Sequence, residues 1–377
     1  MPNSDFSDAF FRRSASSRRR FLQLSAAAFS AVALSNCAPT SSENSDSADS
    51  APASDKTLYL YTWGDYSSEA IYQQFQQQTG IKIVADVYDS NETMLAKLQA
   101  GGGDQYSLIY PSDYMVRQMI DSDLLLKLDP AKLEGFENVM DRWKNPVYDP
   151  QAAHSVPFNW GTTGLIYNSK LITAEPEDWN FLWENRKELS GKITLVDDVR
   201  ETLGMVLKSI GHSYNSTDPA QIEAAYQKLL ELKPDLAGFK TYGFEDQLIG
   251  GDLAVSMTYS ALGNLLPVEN SHLKYVIPKS GTSVWTDAMA IPAKAPDPDL
   301  AYAWINFILE PENAALAAQE LKLSTPNKAA FELLPAEIKS KETLYPTAEM
   351  LKNGEGIQPV GKALDLYDKY WTEAKSA

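Results

Sequence analysis

From residue 57 to the C-terminus the chain predicts an α/β fold, and three observations carry this. Strand-like stretches alternate with amphipathic helical ones along the whole span, which is the pattern of repeated strand–helix units and of mostly parallel sheets. The 377-residue chain is 44% hydrophobic and 22% charged, enough apolar material for a sizeable core. The stretch from 57 to 377 is also large for a single sheet of this kind, so two lobes are expected.

The elements follow in order. TLYLYT (57–62) alternates apolar and polar residues as a half-buried strand does. Residues 67–79 place Ile71 and Phe75 one helical turn apart, and 91–100 do the same with Met94 and Leu98. Further strands are predicted at 82–88, 107–111, 162–167, 192–196, 253–259, 274–277 and 287–291. Asp218 before Pro219, with Gln221 three residues on, marks the start of a helix over 218–232, and PDLAYAWINFIL (298–309) reads as a strongly apolar helix. The glycines at 101–103 follow a helix and read as its cap and turn, not as a phosphate loop. There is no internal repeat.

The first 56 residues do not belong to this body. SRRRFLQ (17–23) followed by LSAAAFSAVAL (24–34) is a basic segment before a short apolar run, the layout of an export signal, and its paired arginines resemble a twin-arginine signal. The run is too short for the roughly 20 residues a membrane span needs. Residues 1–36 are therefore expected to be the signal. The chain's one cysteine, Cys37 in LSNC, sits where a lipobox would place a lipidated cysteine, the alternative being an idle thiol. Residues 37–56, rich in Ser, Asp, Ala and Pro, form a tether with too few apolar groups to offset their ordering entropy.

Charge narrows the function. Residues 1–36 hold five arginines and two aspartates, a net of +3, so the remainder carries −17 − 3 = −20. Nucleic-acid binding rests on Lys and Arg neutralising phosphates, so so acidic a body does not suit it. It is compatible with a cationic ligand, and equally with a well-solvated surface. His154, His212 and His272 lack metal-ligand spacing, and HExxH, GxSxG and CxxC motifs are absent, so neither catalysis nor a metal or cofactor is expected.

Acids and rings collect instead at strand ends. Trp63, Asp65 and Tyr66 follow the first strand, Ser112 and Tyr114 the third, Asp198 and Glu201 the fifth; Tyr259 ends the sixth, and Trp285 and Asp287 lie in SVWTDAMAIP. Ligands of open α/β sheets bind outside the carboxyl ends of strands. Carboxylates supply charge and acceptors to an ammonium leaving water, and ring faces attract cations. A sugar pocket would mix amides and bases among its rings, and an anion site would use Arg, Lys or helix N-termini. The bland readings remain open: each Trp as core, Asp198 as the cap of a helix starting near Val199 with Glu201 in its first turn, and Asp65 as a turn residue beside Gly64.

YTWGDY, VYDSNETMLAKL, YPSDY, LVDDVRE, WTDAMAIP, STPN and LYPTAEMLKNGE, in this order over residues 57–372, resemble the periplasmic spermidine/putrescine-binding proteins of ABC transporters. The resemblance implies a type II periplasmic binding protein: two α/β lobes with central mixed sheets, residues 57–161 plus 286–331 and 162–285 plus 332–377, joined by crossing hinge segments. It implies a monomer that closes on a polyamine and delivers it to a membrane permease. It assigns Trp63, Asp65, Tyr66, Ser112 and Tyr114 to the pocket from one lobe. It places Asp198 and Glu201 on one amino end, Trp285 on the alkyl chain and Asp287 on another amine. Tyr259 stands where spermidine binders carry tryptophan and Gly64 where they carry a hydroxyl residue. A ligand-binding glutamine falls on Ile357, with Gln358 beside it, and KLS before TPN lacks the family's tyrosine. These departures bear on the choice among polyamines.

Overall fold

The computed structural model describes residues 56–64 and 66–377; the export signal, Cys37, the tether up to residue 55 and Asp65 lie outside the described residues. Nine strands form one mixed sheet: β1 (Thr57–Trp63), β2 (Lys82–Tyr88), β3 (Leu108–Ile109), β4 (Ser155–Asn168), β5 (Ile193–Leu195), β6 (Leu236–Phe239), β7 (Val255–Tyr259), β8 (Leu273–Val276) and β9 (Val284–Ala290). The order is β2-β1-β3-β9-β4-β7-β5-β6, with β8 also on β4. Pairing is parallel for β1 with β2 and β3 and for β5 with β6 and β7. It is antiparallel wherever β4 or β9 takes part. The sheet is thus mixed, not mostly parallel, because two long strands run against the strand–helix units on either side.

β4 organises the molecule. Its first part pairs with β9 from Ser155 to Thr162, and its second part pairs with β7 from Thr163 onward and with β8 from Leu165 onward. All fourteen of its residues are buried. The sequence pattern shows only its second half as a strand, because Pro157 interrupts the first. A proline cannot donate to a central ladder, and the structure accommodates it with a register shift between Pro157 and Asn159. β6, whose Gly238 lies at φ 153°, gives little apolar pattern and is legible only in the fold.

The helices follow their sequence signals. Ile71 and Phe75 are buried on the helix Glu69–Thr79, and Phe75 meets Trp304 and Phe307 edge-on at 5.0 and 5.2 Å. These two rings belong to Pro298–Leu309, whose inward face carries Trp304, Ile305, Phe307 and Ile308. Asp218 accepts from the Ala220 amide at 2.9 Å and caps Pro219–Leu232. Gly101 takes φ 105° just past the helix Asn91–Gln99, the left-handed turn expected of a glycine there.

Close packing of β4 against β8 leaves no room for a side chain at Gly164. A Cβ on Gly164 would lie 2.2 Å from the Val276 carbonyl oxygen and 2.8 Å from the Tyr275 ring. Backbone cannot yield as a side-chain tip can. Gly164→Ala is therefore expected to destabilise the fold by about 1–3 kcal/mol, read from the midpoint of urea unfolding; an unchanged midpoint would mean this packing is looser than described.

Candidate functional site

The strand ends converge. Trp63 ends β1, Ser112 follows β3, Asp198 and Glu201 follow β5, and Tyr259 ends β7. β9 runs antiparallel to β3, so its beginning, with Trp285 and Asp287, arrives at the same place, where Ser112 and Asp287 form a single bridge. Nine of the ten residues singled out in the sequence, Trp63, Tyr66, Ser112, Tyr114, Asp198, Glu201, Tyr259, Trp285 and Asp287, line one cavity enclosing about 470 Å³ of space unfilled by atoms. The tenth, Asp65, lies outside the described residues. Of the C-terminal pair, Ile357 lines the cavity, whereas Gln358 is exposed and does not.

Donor chains approach Asp287 from two sides. Ser112 Oγ donates to Asp287 Oδ1 at 2.6 Å, and Asn91 Nδ2 donates to Ser112 Oγ at 3.0 Å while Asn91 Oδ1 accepts from the Ser112 amide. Tyr66 Oη donates to Asp287 Oδ2 and lies 3.1 Å from the amide oxygen of Asn159. A phenol has one proton to give. With that proton on Asp287, the Asn159 amide satisfies the pair when turned to donate its Nδ2, which otherwise is buried without a partner, to Tyr66 Oη. Asp287 is thereby held in place as an acceptor of two hydroxyl donors.

On the opposite wall Asp198 is the N-cap of Val199–Ser209, accepting from the Arg200 and Glu201 amides at 2.9 Å each. The capping reading and the cavity reading are therefore both true of its position. Glu201, in the first turn, accepts from Ser283 Oγ at 2.8 and 2.9 Å. The guanidinium of Arg200 turns away, donating to the carbonyl of Gln358 at 3.0 Å and to Asn215 Oδ1 at 3.2 Å. The rings form a chain: Tyr259 meets Trp63 edge-on at 6.4 Å and Trp285 at 6.0 Å. Trp63 is fixed by donating to the Tyr110 carbonyl at 3.0 Å.

Electrostatics here are governed first by burial. Burial, then the charge of Asp198, pushes Glu201 up to about 8. Burial raises Asp198, against the two amides it caps. Asp113 is pushed up to about 8, first by burial and also by the charge of Asp287. Beside the cavity, Glu92 accepts from Tyr114 Oη at 3.0 Å and rises to about 7 through burial and the charge of Asp198. Among the described residues no Lys, Arg or His lines the cavity. Among the described residues no group of His, Cys, Asp or Glu is arranged to hold a metal ion.

The wall also contains Asn91, Asp113, Tyr242 and Ala261, which the sequence reading did not single out. Asn91 and Asp113 lie inside the quoted stretches VYDSNETMLAKL and YPSDY, so their neighbours already marked them. Tyr242 follows β6, and assigning that strand would have pointed to it by the same strand-end rule. Its ring lies 3.7 Å from where a Cβ on Gly64 would stand.

A cavity at the strand ends of a mixed α/β sheet, walled by residues from distant segments, has the layout of a small-solute site. Residues 70–347 match the bacterial extracellular solute-binding protein family, and the chain belongs to it. It is 36% identical over 321 residues to the spermidine/putrescine-binding periplasmic protein of Escherichia coli strain K12, covering 85% of this chain and 92% of that one. The crystal structure of the spermidine/putrescine ABC transporter substrate-binding protein PotD from Streptococcus pneumoniae is 37% identical, with a TM-score of 0.73 over 85% of this chain and 99% of that chain. The TpPotD lipoprotein of Treponema pallidum is 28% identical, with a TM-score of 0.75 over 85% of this chain and all of that one (100%).

The raised carboxyls make a pH prediction. In the unfolded chain these acids ionise near pH 4; in the empty folded protein Glu201 and Asp113 keep their protons to about 8. Unfolding therefore releases protons between these values, and stability falls as pH rises through that window. Glu201→Gln should flatten the decline by up to one proton, about 1.4 kcal/mol per pH unit, when urea unfolding is followed from pH 5 to 8. Parallel profiles for the two proteins would show that Glu201 is ionised when the cavity is empty.

Proposed function

We propose that this chain is the solute-binding component of an ABC importer and that it captures a polyamine in the cavity described above. One observation carries the reading: Asp113, Asp198, Glu201 and Asp287 share a cavity with the rings of Trp63, Tyr259 and Trp285, and among the described residues no cationic side chain lines it. An ammonium leaving water forfeits several kcal/mol of hydration unless it meets charge and acceptors, which the carboxylates offer at both ends. A ring face adds roughly 0.5–2 kcal/mol per cation contact, and each methylene buried between amines adds about 0.8 kcal/mol. The names of the relatives agree with this chemistry.

The reading assigns roles. Asp198 and Glu201 take one amino end, Asp287 another amine, and Trp285 and Trp63 the alkyl chain, with Tyr66, Ser112, Tyr114 and Tyr259 completing the wall. Asp65, which adjoins Trp63 in the chain, is proposed to join them. Trp63, Ser112 and Asp287 come from the β1–β3–β9 side, and Asp198, Glu201 and Tyr259 from the β5–β7 side. A ligand that touches both sides favours the state in which they are together. We place the lobes at 57–161 plus 286–331 and 162–285 plus 332–377. In support, β4 changes partner between Thr162 and Thr163. The protein acts by binding and release and performs no covalent chemistry. We propose that it works as a monomer outside the cytoplasmic membrane, in the periplasm, tethered through a lipid on Cys37; the lipobox-like LSNC and the lipoprotein relative support the anchor.

In a thermal-shift panel of polyamines, sugars and betaines, polyamines should raise the melting temperature by mass action and the others should not. In calorimetry, Asp287→Asn and Trp285→Ala should each weaken polyamine binding at least tenfold, about 1.4 kcal/mol, in variants that far-ultraviolet circular dichroism shows to be folded. A shift with sugars alone, or two variants with parent-like affinity, would refute the assignment. Separately, Cys37→Ala should move the protein from the membrane to the soluble fraction of cells; retention in the membrane would rule out the lipid anchor.

A further inference from the structure

Set back from the cavity, behind Glu201, lies a short relay of hydroxyls. Ser283 Oγ is 2.8 and 2.9 Å from the two carboxyl oxygens of Glu201 and 2.8 Å from Thr163 Oγ1. Ser283 and Thr163 are both fully buried, and neither is in the cavity wall. A hydroxyl carries one proton, so the three contacts of Ser283 cannot all be its own donations. When Ser283 gives its proton to Glu201, the Thr163 hydroxyl satisfies the remaining contact by donating to Ser283 Oγ. The donors then run in one direction, from Thr163 through Ser283 to the carboxylate.

The backbone holds this relay in place. Thr163 is the first residue of β4 to pair with β7, and Ser283 immediately precedes β9. The Thr163 amide lies 3.3 Å from the Ser283 carbonyl and 3.2 Å from Thr282 Oγ1, which in turn donates to the Thr163 carbonyl. The cross-bonded chains keep the two hydroxyls side by side, against the helix turn that carries Glu201.

Burial disfavours the Glu201 carboxylate, and so does the charge of Asp198; hydrogen bonding from Ser283 and Thr163 opposes both. The other ionisable groups in its surroundings are Asp113 and the phenols of Tyr214, Tyr259 and Tyr275, all of them acids. We propose that Ser283 and Thr163 are positioning residues of the binding site, which hold Glu201 oriented and able to carry its charge when an ammonium arrives. The inference rests on the polyamine reading and adds to that site two residues that do not touch the ligand. Removing a donor that favours the charged form raises the pH at which the empty site gives up its proton. The loss of affinity is then greatest at low pH and disappears once Glu201 is ionised in both proteins.

The test is isothermal titration of the full chain with spermidine from pH 6 to pH 9, comparing the parent with Ser283→Ala and Thr163→Val, each shown to be folded by circular dichroism. Taking the ratio of affinities at each pH cancels the titration of the amine itself. Ser283→Ala should bind about tenfold more weakly at pH 6 and converge on the parent as the pH rises past about 8. Thr163→Val keeps the shape of the side chain and removes the far end of the relay; it should show the same trend with a smaller loss, and it decides the matter should Ser283→Ala not fold. In a Glu201→Gln background the pH dependence of the Ser283→Ala effect should vanish. A loss equal at every pH, or parent-like affinity throughout, would refute the relay while leaving polyamine binding intact. If the parent itself does not bind spermidine, the polyamine reading has failed.

Discussion

The structure is arranged around carboxyl groups buried in one cavity that, among the described residues, no Lys, Arg or His lines. In water each would be solvated; inside a cavity walled by indole and phenol rings, each either keeps its proton or waits for a positive charge. Glu201 and Asp113, held up to about 8, show what the empty cavity does to an acid. The same burial that penalises the lone carboxylate strengthens its attraction for an ammonium, because little solvent is left to screen the pair.

The fold holds these groups at fixed separation. The helix starting at Val199 keeps Asp198 in place by two amide bonds, so this carboxyl cannot swing out to water. Asp287 is fixed differently, from a strand, by hydroxyls that are themselves fixed by Asn91 and Asn159. One wall rides on β5 and its helix, the other on β1, β3 and β9, and they are joined through β4, which changes partner midway. The cavity therefore draws its wall from both sides of β4.

Much was legible in the chain. Strand β2 and the helix Pro298–Leu309 have the limits their patterns require, because their apolar periodicity is uninterrupted. The rings and acids at strand ends could be picked out because the rule that places ligands there depends on strand direction, which alternation reveals. The elements that escaped are those whose environment overrides local pattern. The first half of β4 hides behind Pro157, which only a bulge against β9 makes tolerable. β6 carries a glycine at φ 153° and little apolar signal, and with it Tyr242 went unnoticed. Asp113, between Ser112 and Tyr114, was not singled out, since nothing in one dimension tells which side chains of a turn face inward.

By itself the sequence determined the chemistry on offer: an acidic body, an α/β alternation, and rings and carboxyls at the ends of strands. These follow from residue type and spacing, which are local. The tertiary structure alone decided which of those acids share one cavity and which of them lose their water. The reason is that desolvation and the repulsion between charges depend on distances through space, and residues 113, 201 and 287 are brought together only when the sheet forms, with β9 paired between β3 and β4.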